Sequence, residues 1–225
     1  MQERILYEDN HLLIVNKLSG ELVQGDQTGD LPLVEMLKYY LKEKYNKPGN
    51  VFLGVVHRLD RPTSGAVIFA RTSKALTRLN RQLAQREIDK TYWAIIPQGL
   101  KKESGELRHW LVRNPKKNKS FAFTSEQKDS KIAVLQYQTL HSFDRYQLLE
   151  IQLETGRHHQ IRTQLASLGF PIKGDLKYGA ARSNSDGSID LHASKLTFTH
   201  PVKKEQLNIV APVPKKPLWL SVPFD

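Results

Sequence analysis

The sequence contains no cysteine. Disulfide bonds and thiolate catalysis are therefore excluded, and a structural zinc site is disfavoured because the common ones need cysteine ligands. The chain also lacks any apolar run that approaches the roughly 20 residues of a membrane-spanning helix. Its first residues, Met1-Gln2-Glu3-Arg4, do not have the pattern of a signal peptide. We therefore expect no membrane association and a location in the cytoplasm.

Acidic residues are scarce relative to basic ones. The chain has 23 Asp and Glu against 34 Lys and Arg, which gives a formal net charge of +11 at pH 7. The basic residues occur along the whole chain, and such a surface attracts a polyanion, usually a nucleic acid. For any single cluster, a solvated surface that maintains solubility is at least as good an explanation. That explanation weakens only where basic clusters surround a site.

The length and the apolar spacing predict the fold class. A chain of 225 residues with 39% hydrophobic residues can form one domain, or two closely joined lobes that share a continuous sheet. Apolar spacing predicts helices at about 32–46, 74–86 and 161–169, with Ser73 as the cap of the second. Most other apolar segments are typical of strands, and residues 212–225 have the pattern of an irregular tail. We expect an α+β fold in which a few helices flank a mixed, largely antiparallel central sheet.

Reactive side chains are concentrated in the stretch His57-Arg58-Leu59-Asp60-Arg61-Pro62-Thr63-Ser64-Gly65. It lies between two apolar segments, 51–56 and 66–70, that are typical of strands, so an acid and two arginines occupy a short anchored turn. A plain connector is the alternative: the proline fixes φ, the hydroxyl residues bond to their own backbone, and the glycine permits a turn. Turn chemistry alone favours the connector.

A second such stretch is Glu154-Thr155-Gly156-Arg157-His158-His159-Gln160-Ile161-Arg162-Thr163-Gln164-Leu165. Gly156 breaks the strand before it, and the apolar spacing predicts a helix in which His158 and Arg162 share one face. The adjacent histidines resemble metal ligands, but consecutive helical residues point about 100° apart and cannot easily bind one ion. We therefore expect no metal site. Taken alone, Arg162 is a surface cation on a helix.

These stretches resemble motifs of the RluA-type family of pseudouridine synthases, which act on ribosomal large-subunit RNA or transfer RNA. The first matches the family's HRLD followed by Thr-Ser-Gly, and the second matches Gly-Arg-x-His-Gln-(Ile/Leu)-Arg. Lys90-Thr91-Tyr92 resembles its Lys-x-Tyr motif, and residues 171–179 resemble its Pro-Ile-x-Gly-Asp-x-x-Tyr-Gly loop. Leu191-His192-Ala193 resembles its Leu-His-Ala string. The resemblance covers roughly residues 5–210 and departs at Leu18, where proline is usual.

The resemblance implies a role for each matched residue. Asp60 is the catalytic carboxylate, which attacks the anomeric carbon, attacks the ring or removes a sugar proton. Arg162 pairs with Asp60, because an opposite charge nearby favours the ionised carboxylate and orients it. Tyr92 stacks on the target uracil and assists the removal of the proton from carbon 5. The residues implied in substrate or RNA binding are His57, Arg58, Arg61, Lys90, Arg157, Gln160 and Leu191. Ordinary core positions are the alternatives for Tyr92 and Leu191.

The implied activity is that of an RNA pseudouridine synthase, an isomerase that detaches uracil from the sugar, turns it and rejoins it through carbon 5. No redox step or group transfer occurs, so we expect no cofactor. A stacked base is out of reach, so the target uridine is flipped out of the RNA, and Arg58 fills the vacated space.

The same resemblance predicts a single pseudouridine synthase catalytic domain over 1–225, acting as a monomer. Because strand signals begin at Arg4, we expect no separate N-terminal RNA-binding domain. The alternative is a catalytically idle RNA-binding or ribosome-assembly protein. A glycoside hydrolase would need a second acid near Asp60, and no motif places one there.

Overall fold

The computed structural model describes residues 1–222 of the chain. The strands within these residues are β1 Ile5–Glu8, β2 Leu12–Lys17, β3 Gly54–Val55, β4 Ser64–Ala70, β5 Asp89–Pro97, β6 Ser104–Asn114, β7 Lys119–Phe123, β8 Lys131–Ser142, β9 Tyr146–Leu153, β10 Leu191–Thr199 and β11 Gln206–Val210. The α-helices are α1 Leu33–Lys44, α2 Ser73–Ala84, α3 Gln160–Ser167 and α4 Pro217–Leu220. Largely antiparallel strands with few helices confirm the predicted α+β class.

The chain divides into two compact units. Unit 1 contains Met1–Asp89 and Ala193–Leu220, and unit 2 contains Lys90–His192 with residues 221–222. The motif around Asp60 therefore belongs to unit 1, whereas the motifs around Tyr92 and Arg162 belong to unit 2. No helix within residues 1–222 combines the length and the apolar character needed to cross a membrane.

Unit 1 is built around the buried strand β4. One edge of β4 pairs antiparallel with β2, which in turn pairs with β1, and the other edge pairs with β3 and lies beside β10. Every residue of β4 is buried, as expected for a strand with neighbours on both edges. Helix α2 buries Ala75 and Leu79 against Leu12, Ile14 and Ile68, so this helix covers the core of unit 1.

The predicted cap of α2 was wrong by one residue. Thr72, not Ser73, is the N-cap: its backbone is extended, and its Oγ1 accepts a hydrogen bond from Ala75 N at 3.1 Å. Ser73 already has the helical conformation, so it cannot supply the first acceptor. The segment 212–225, predicted to be irregular, contains α4 with Trp219 buried. Residues 223–225 of that prediction lie outside the described residues.

The strand predicted over 51–56 is reduced to Gly54–Val55. These two residues pair with the end of β4, and β10 lies beside the same edge of β4, which leaves little of it for a longer β3. Gly54 lies close to helix α2, because a Cβ there would meet Leu76 Cδ2 at 2.7 Å. After β3 the chain leaves the ladder, and the loop that carries Asp60 begins.

Unit 2 contains an antiparallel sheet in the order β5-β9-β8-β6-β7. Helix α3 lies against β6 and β7, and its buried Gln164 donates from Nε2 to the carbonyl oxygens of Leu107 (3.0 Å) and Ala133 (3.2 Å). These bonds satisfy a polar group that would otherwise destabilise the interior. They fix α3, and with it Arg162, against the sheet.

Candidate active site

The Asp60 loop is fastened through its backbone to the segment that follows β2. Gly20 N donates to the carbonyl of Arg61 at 2.8 Å, and Ser19 Oγ donates to that of Pro62 at 2.9 Å. Within the loop, Thr63 N donates to Asp60 O at 3.0 Å and closes a tight turn. Asp60 itself is partly buried. The backbone that carries this carboxylate is therefore held on several sides.

Lys17 is the central anchor of this loop, a role that the sequence did not reveal. Its side chain is 0% exposed, and Nζ donates to the carbonyls of Leu18 (2.9 Å), Arg61 (3.1 Å) and Thr63 (2.6 Å). Burial lowers the pKa of Lys17 to about 8, while the charges of Glu21 and Asp60 act in the opposite direction. Within unit 1, Lys17 is thus a cation whose field reaches Asp60.

Leu18 stands where proline is usual in the family that the motifs resemble, and its backbone N–H forms a hydrogen bond. Its N–H donates to Glu21 Oε2 at 3.0 Å, a bond that a proline could not make. This local hydrogen bond restricts the loop in place of the proline ring.

The other residues of the Asp60 motif differ in their surroundings. His57 Nε2 accepts from Ile68 N at 3.2 Å, so this nitrogen serves the backbone of β4. Arg58 is exposed. Arg61 is also exposed, and it donates to Gly20 O at 3.0 Å and pairs with Asp30 at 2.7 Å. Of the two arginines, Arg61 is engaged with the neighbouring loop. The predicted RNA contacts of all three remain predictions.

Gly65 ends the motif at a position that no other residue fits. Its φ is +119°, and a Cβ there would lie 2.3 Å from the backbone oxygen of Ala193 in β10. The glycine therefore allows β4 and β10 to approach each other directly after the Asp60 loop.

In unit 2, Lys90 and Tyr92 lie on β5 with their side chains on one face of the sheet. Tyr92 is buried, whereas Lys90 is partly buried, and burial lowers the pKa of Lys90. Among residues 1–222, no carboxylate forms an ion pair with Lys90. Its Nζ lies 3.5 Å from the position of a Cβ at Gly156, so the Lys-x-Tyr motif adjoins the loop before α3.

Gln160 organises that loop. Its Oε1 accepts from Thr155 Oγ1 (2.8 Å) and Arg157 N (3.0 Å), and its Nε2 donates to Val134 O at 3.0 Å. Arg157 is in turn held by a bond of 3.0 Å from its Nε to Ile132 O. Both side chains shape the start of α3, and their predicted contacts with RNA remain predictions.

Arg162 lies in a buried bidentate ion pair with Asp175. Its Nε and Nη2 donate to the two carboxylate oxygens at 2.6 and 2.8 Å, and the two side chains are only 5% and 1% exposed. The guanidinium carbon lies 5.0 Å from the ring centre of Tyr178. The helix cation is therefore fixed in orientation by an acid and an aromatic ring from the loop that follows α3.

Tyr178 links this pair to β7. Its hydroxyl accepts from Ser120 N at 2.8 Å and shares a second hydrogen bond of 2.9 Å with His159 Nδ1. Burial raises the pKa of Tyr178. Asp175 and Tyr178 both belong to the predicted Gly-Asp-x-x-Tyr-Gly loop, but their contact with Arg162 has no sequence signal besides that match.

The two histidines before α3 are arranged differently from the prediction. The helix begins at Gln160, and His159 is its N-cap in the left-handed region with φ 54°. The rings of His158 and His159 stack at 3.7 Å, and His158 Nδ1 lies 2.9 Å from Ser120 Oγ. Helical geometry was therefore the wrong argument about a metal here. Within residues 1–222, no group of three or more potential ligands could hold a metal ion.

The predicted site residues are thus divided between the units. His57, Arg58, Asp60 and Arg61 lie in unit 1 with Lys17, and the other predicted residues lie in unit 2, where Leu191 is buried at the start of β10. The pairing of Arg162 with Asp60 stays a prediction.

One signal in the sequence could have shown that Lys17 is buried: strand periodicity places it on the same face as Val15 and Leu13, both buried.

Comparison with known proteins identifies the family. Residues 11–167 match the family model described as RNA pseudouridylate synthase. The chain belongs to the RNA pseudouridylate synthase family, and the prediction of a pseudouridine synthase, an isomerase, is confirmed at the level of the family.

Individual relatives agree with this assignment. The chain is 35% identical over 214 residues to the uncharacterized RNA pseudouridine synthase YlyB of Bacillus subtilis (strain 168), covering 94% of this chain and 69% of YlyB. It is 36% identical over 225 residues to ribosomal large subunit pseudouridine synthase D of Xanthomonas campestris pv. campestris, covering 94% and 66%. The solved structure of human RNA pseudouridylate synthase domain containing 4 superposes with a TM-score of 0.79 at 26% identity, covering 95% of this chain and 90% of the human one. The chain spans about two thirds of the length of these curated relatives.

Proposed function

We propose that this protein isomerises uridines in RNA to pseudouridine, with Asp60 as the catalytic carboxylate. The observation that carries the proposal is the anchored Asp60 loop, in which the buried Lys17 ammonium binds the carbonyls of Arg61 and Thr63. A carboxylate on a fixed backbone keeps one position relative to a bound nucleotide, which lowers the entropic part of the barrier. Family membership supplies the reaction class.

The proposed substrate is RNA, and ribosomal RNA is proposed ahead of transfer RNA. The names of two relatives, ribosomal large subunit pseudouridine synthases D and C, specify the large ribosomal subunit. The net charge of +11 supports a polyanionic substrate. The reaction moves no electrons and transfers no group to another molecule, so the proposal includes no cofactor. It places the protein in the cytoplasm as a monomer.

As the motif resemblance implies, the chain is proposed to contain a single catalytic domain. Arg162, held by Asp175 and backed by Tyr178, is its proposed fixed positive charge. Tyr92 stacks on the flipped uracil, Arg58 enters the vacated space in the RNA, and Lys90 binds backbone phosphate. The His57, Arg61, Arg157, Gln160 and Leu191 side chains line or support the bound nucleotide.

The decisive experiment compares wild-type protein with Asp60→Asn on transcribed ribosomal RNA, reading pseudouridine by a chemical mapping assay. Asp60→Asn should lower the single-turnover rate by at least about a thousandfold, because no other group supplies the carboxylate. It should bind RNA within about twofold of wild type, since binding depends on phosphate contacts. Asp144→Asn, the same change at an exposed aspartate, should convert RNA at the wild-type rate.

Two results would contradict the proposal. Unchanged pseudouridine formation by Asp60→Asn would remove Asp60 from the chemistry. RNA binding by wild type without any conversion would instead support an idle RNA-binding protein.

For Arg162, replacement by methionine should lower kcat more than it raises KM, because the charge acts on the reacting carboxylate. A change in KM alone would place Arg162 in substrate binding only.

A further inference from the structure

Unit 2 exposes a group of aromatic side chains that the proposed chemistry does not use. Phe121 and Phe123 on β7 are each 39% exposed, although both are large and apolar. They lie directly across from Val112 and Trp110 of β6, so the four side chains share one face of the hairpin. Exposed aromatic rings in a row on an edge strand require an explanation, because water contact with them is unfavourable.

The other face of β7 is fully occupied. Ser120, which alternates with the phenylalanines, is buried, and its Oγ bonds to His158 O at 2.9 Å while its N–H bonds to Tyr178. The hairpin is therefore fixed to the elements that hold Arg162, while the rings of Phe121 and Phe123 remain partly exposed. A ligand on these rings would be held at a constant position relative to Arg162.

Basic residues without acidic partners adjoin this face. Residues 107–125 contain no Asp or Glu, and the hairpin tip between β6 and β7 carries Lys116, Lys117 and Lys119. Within residues 1–222, none of these three lysines pairs with a carboxylate. The ammonium of Lys119 lies 4.9 Å from the ring centre of Tyr178 and 5.9 Å from that of Phe121, between the two rings. Positive charge and aromatic surface are thus adjacent.

The hairpin tip is ordered by its own bonds. Asn114 Oδ1 accepts from Lys117 N at 3.0 Å, and Asn118 N donates to Pro115 O at 3.1 Å. Lys177 reinforces the tip from the neighbouring loop, since its Nζ donates to Asn118 O at 3.2 Å. The lysines therefore extend from a preformed turn, which reduces the entropy lost when they bind.

We propose that Trp110, Phe121 and Phe123, together with Lys116, Lys117 and Lys119, form a binding platform for a single-stranded segment of the RNA substrate. Unpaired bases stack on the rings, and the lysines contact the phosphates on either side. Aromatic rings on a sheet face with basic side chains at its end suit a single strand, because each nucleotide has a flat apolar base and a charged phosphate. The inference rests on the proposed function and adds a contact outside the catalytic residues. A protein partner is disfavoured by the lysines, which match a phosphate backbone.

The test measures the affinity for a single-stranded RNA oligonucleotide at several salt concentrations by fluorescence anisotropy. All proteins carry Asp60→Asn, so that binding is read without turnover. Phe121→Ala with Phe123→Ala should raise Kd at least about tenfold, given the usual effect of removing a stacked ring. Phe52→Ala, the same truncation at an exposed phenylalanine of unit 1, should leave Kd unchanged.

A second pair of variants tests the phosphate contacts through the salt dependence of Kd. Lys116→Gln with Lys117→Gln should reduce the slope of log Kd against log salt by about 1.4, because each of the two contacts to a single strand contributes about 0.7. Lys101→Gln with Lys102→Gln removes the same charge at the opposite end of β6, which spans about 35 Å, and should leave the slope unchanged. The Lys116 and Lys117 variants test the platform independently if the phenylalanine variant fails to fold. The urea midpoint of the phenylalanine variant shows whether it is folded.

Three outcomes would overturn the platform. They are wild-type affinity in the phenylalanine variant, equal slopes for the two lysine pairs, and loss of self-association rather than of RNA binding, which would make the face a protein interface. Failure of the proposed function can be distinguished from failure of the platform. It would appear as conversion of uridine to pseudouridine by Asp60→Asn, and it would not change the measured RNA affinities.

Discussion

Replacing Asp175 with asparagine is expected to lower the free energy of unfolding by about 3–5 kcal/mol. Asp175 and Arg162 are 1% and 5% exposed and share two hydrogen bonds of 2.6 and 2.8 Å. Asparagine keeps the size of the side chain but removes its charge, so the buried guanidinium loses the carboxylate that binds it in two hydrogen bonds. Breaking a buried ion pair on one side is costly because the remaining charge has lost its compensation.

The assay is equilibrium unfolding in urea, followed by circular dichroism, for wild type and variant. The control is Glu106→Gln, the same change in the ion pair of Arg108 with Glu106, whose side chains are 58% and 42% exposed. That control should cost no more than about 1 kcal/mol, because water screens an exposed pair. The double variant Asp175→Asn with Arg162→Met should lose less than the sum of the single losses, since each single variant already removes the attraction between the two side chains.

The reasoning would be refuted if Asp175→Asn cost less than about 1 kcal/mol, or as little as its exposed control. Either result would mean that the guanidinium reaches water or another acid when Asp175 is neutral. Strict additivity in the double variant would contradict the direct coupling of the two side chains.

Three further predictions concern the anchors of the site. The free energy of unfolding of wild type, relative to that of Lys17→Met, should rise by up to about 3 kcal/mol as the pH rises from about 8 to 10.5. In this range the unfolded state still holds the proton that the buried amine has lost. Urea unfolding at several pH values measures this difference, and a difference that falls with pH would contradict the prediction. Tyr178→Phe should cost about 1–3 kcal/mol in the same assay, because the buried Ser120 N–H loses its acceptor, and a neutral effect would mean that another group replaces it. Gly65→Ala should cost at least about 3 kcal/mol, since a Cβ would lie 2.3 Å from Ala193 O at a φ of +119°, whereas Gly49→Ala, with nothing within 4 Å, should be nearly neutral.

Local pattern in the sequence was sufficient for the elements whose formation depends on neighbours in the chain. The apolar spacing of α1 and α2 placed both helices within two residues of their observed ends. The cap of α2 was missed because Thr72 and Ser73 are chemically equivalent as caps. The strand at 51–56 was overestimated because its length depends on which strands occupy the edge of β4.

The anchors of the site could not be predicted in the same way. Strand periodicity could indicate that Lys17 is buried, but not that it binds the carbonyl of Thr63, 46 residues away. Asp175 lies in a loop that matches a family motif, but its partner Arg162 lies in another element, and the expected partner of that arginine was Asp60. Motifs indicate which residues matter, whereas the contacts that hold them depend on the tertiary structure.

The most direct test of the account maps pseudouridines in the RNA of cells that lack this protein, and of the same cells supplied with wild type or with Asp60→Asn. The account predicts at least one ribosomal RNA position that is modified with wild type and unmodified both in the deletion and with Asp60→Asn. An identical set of pseudouridines in all three would contradict it.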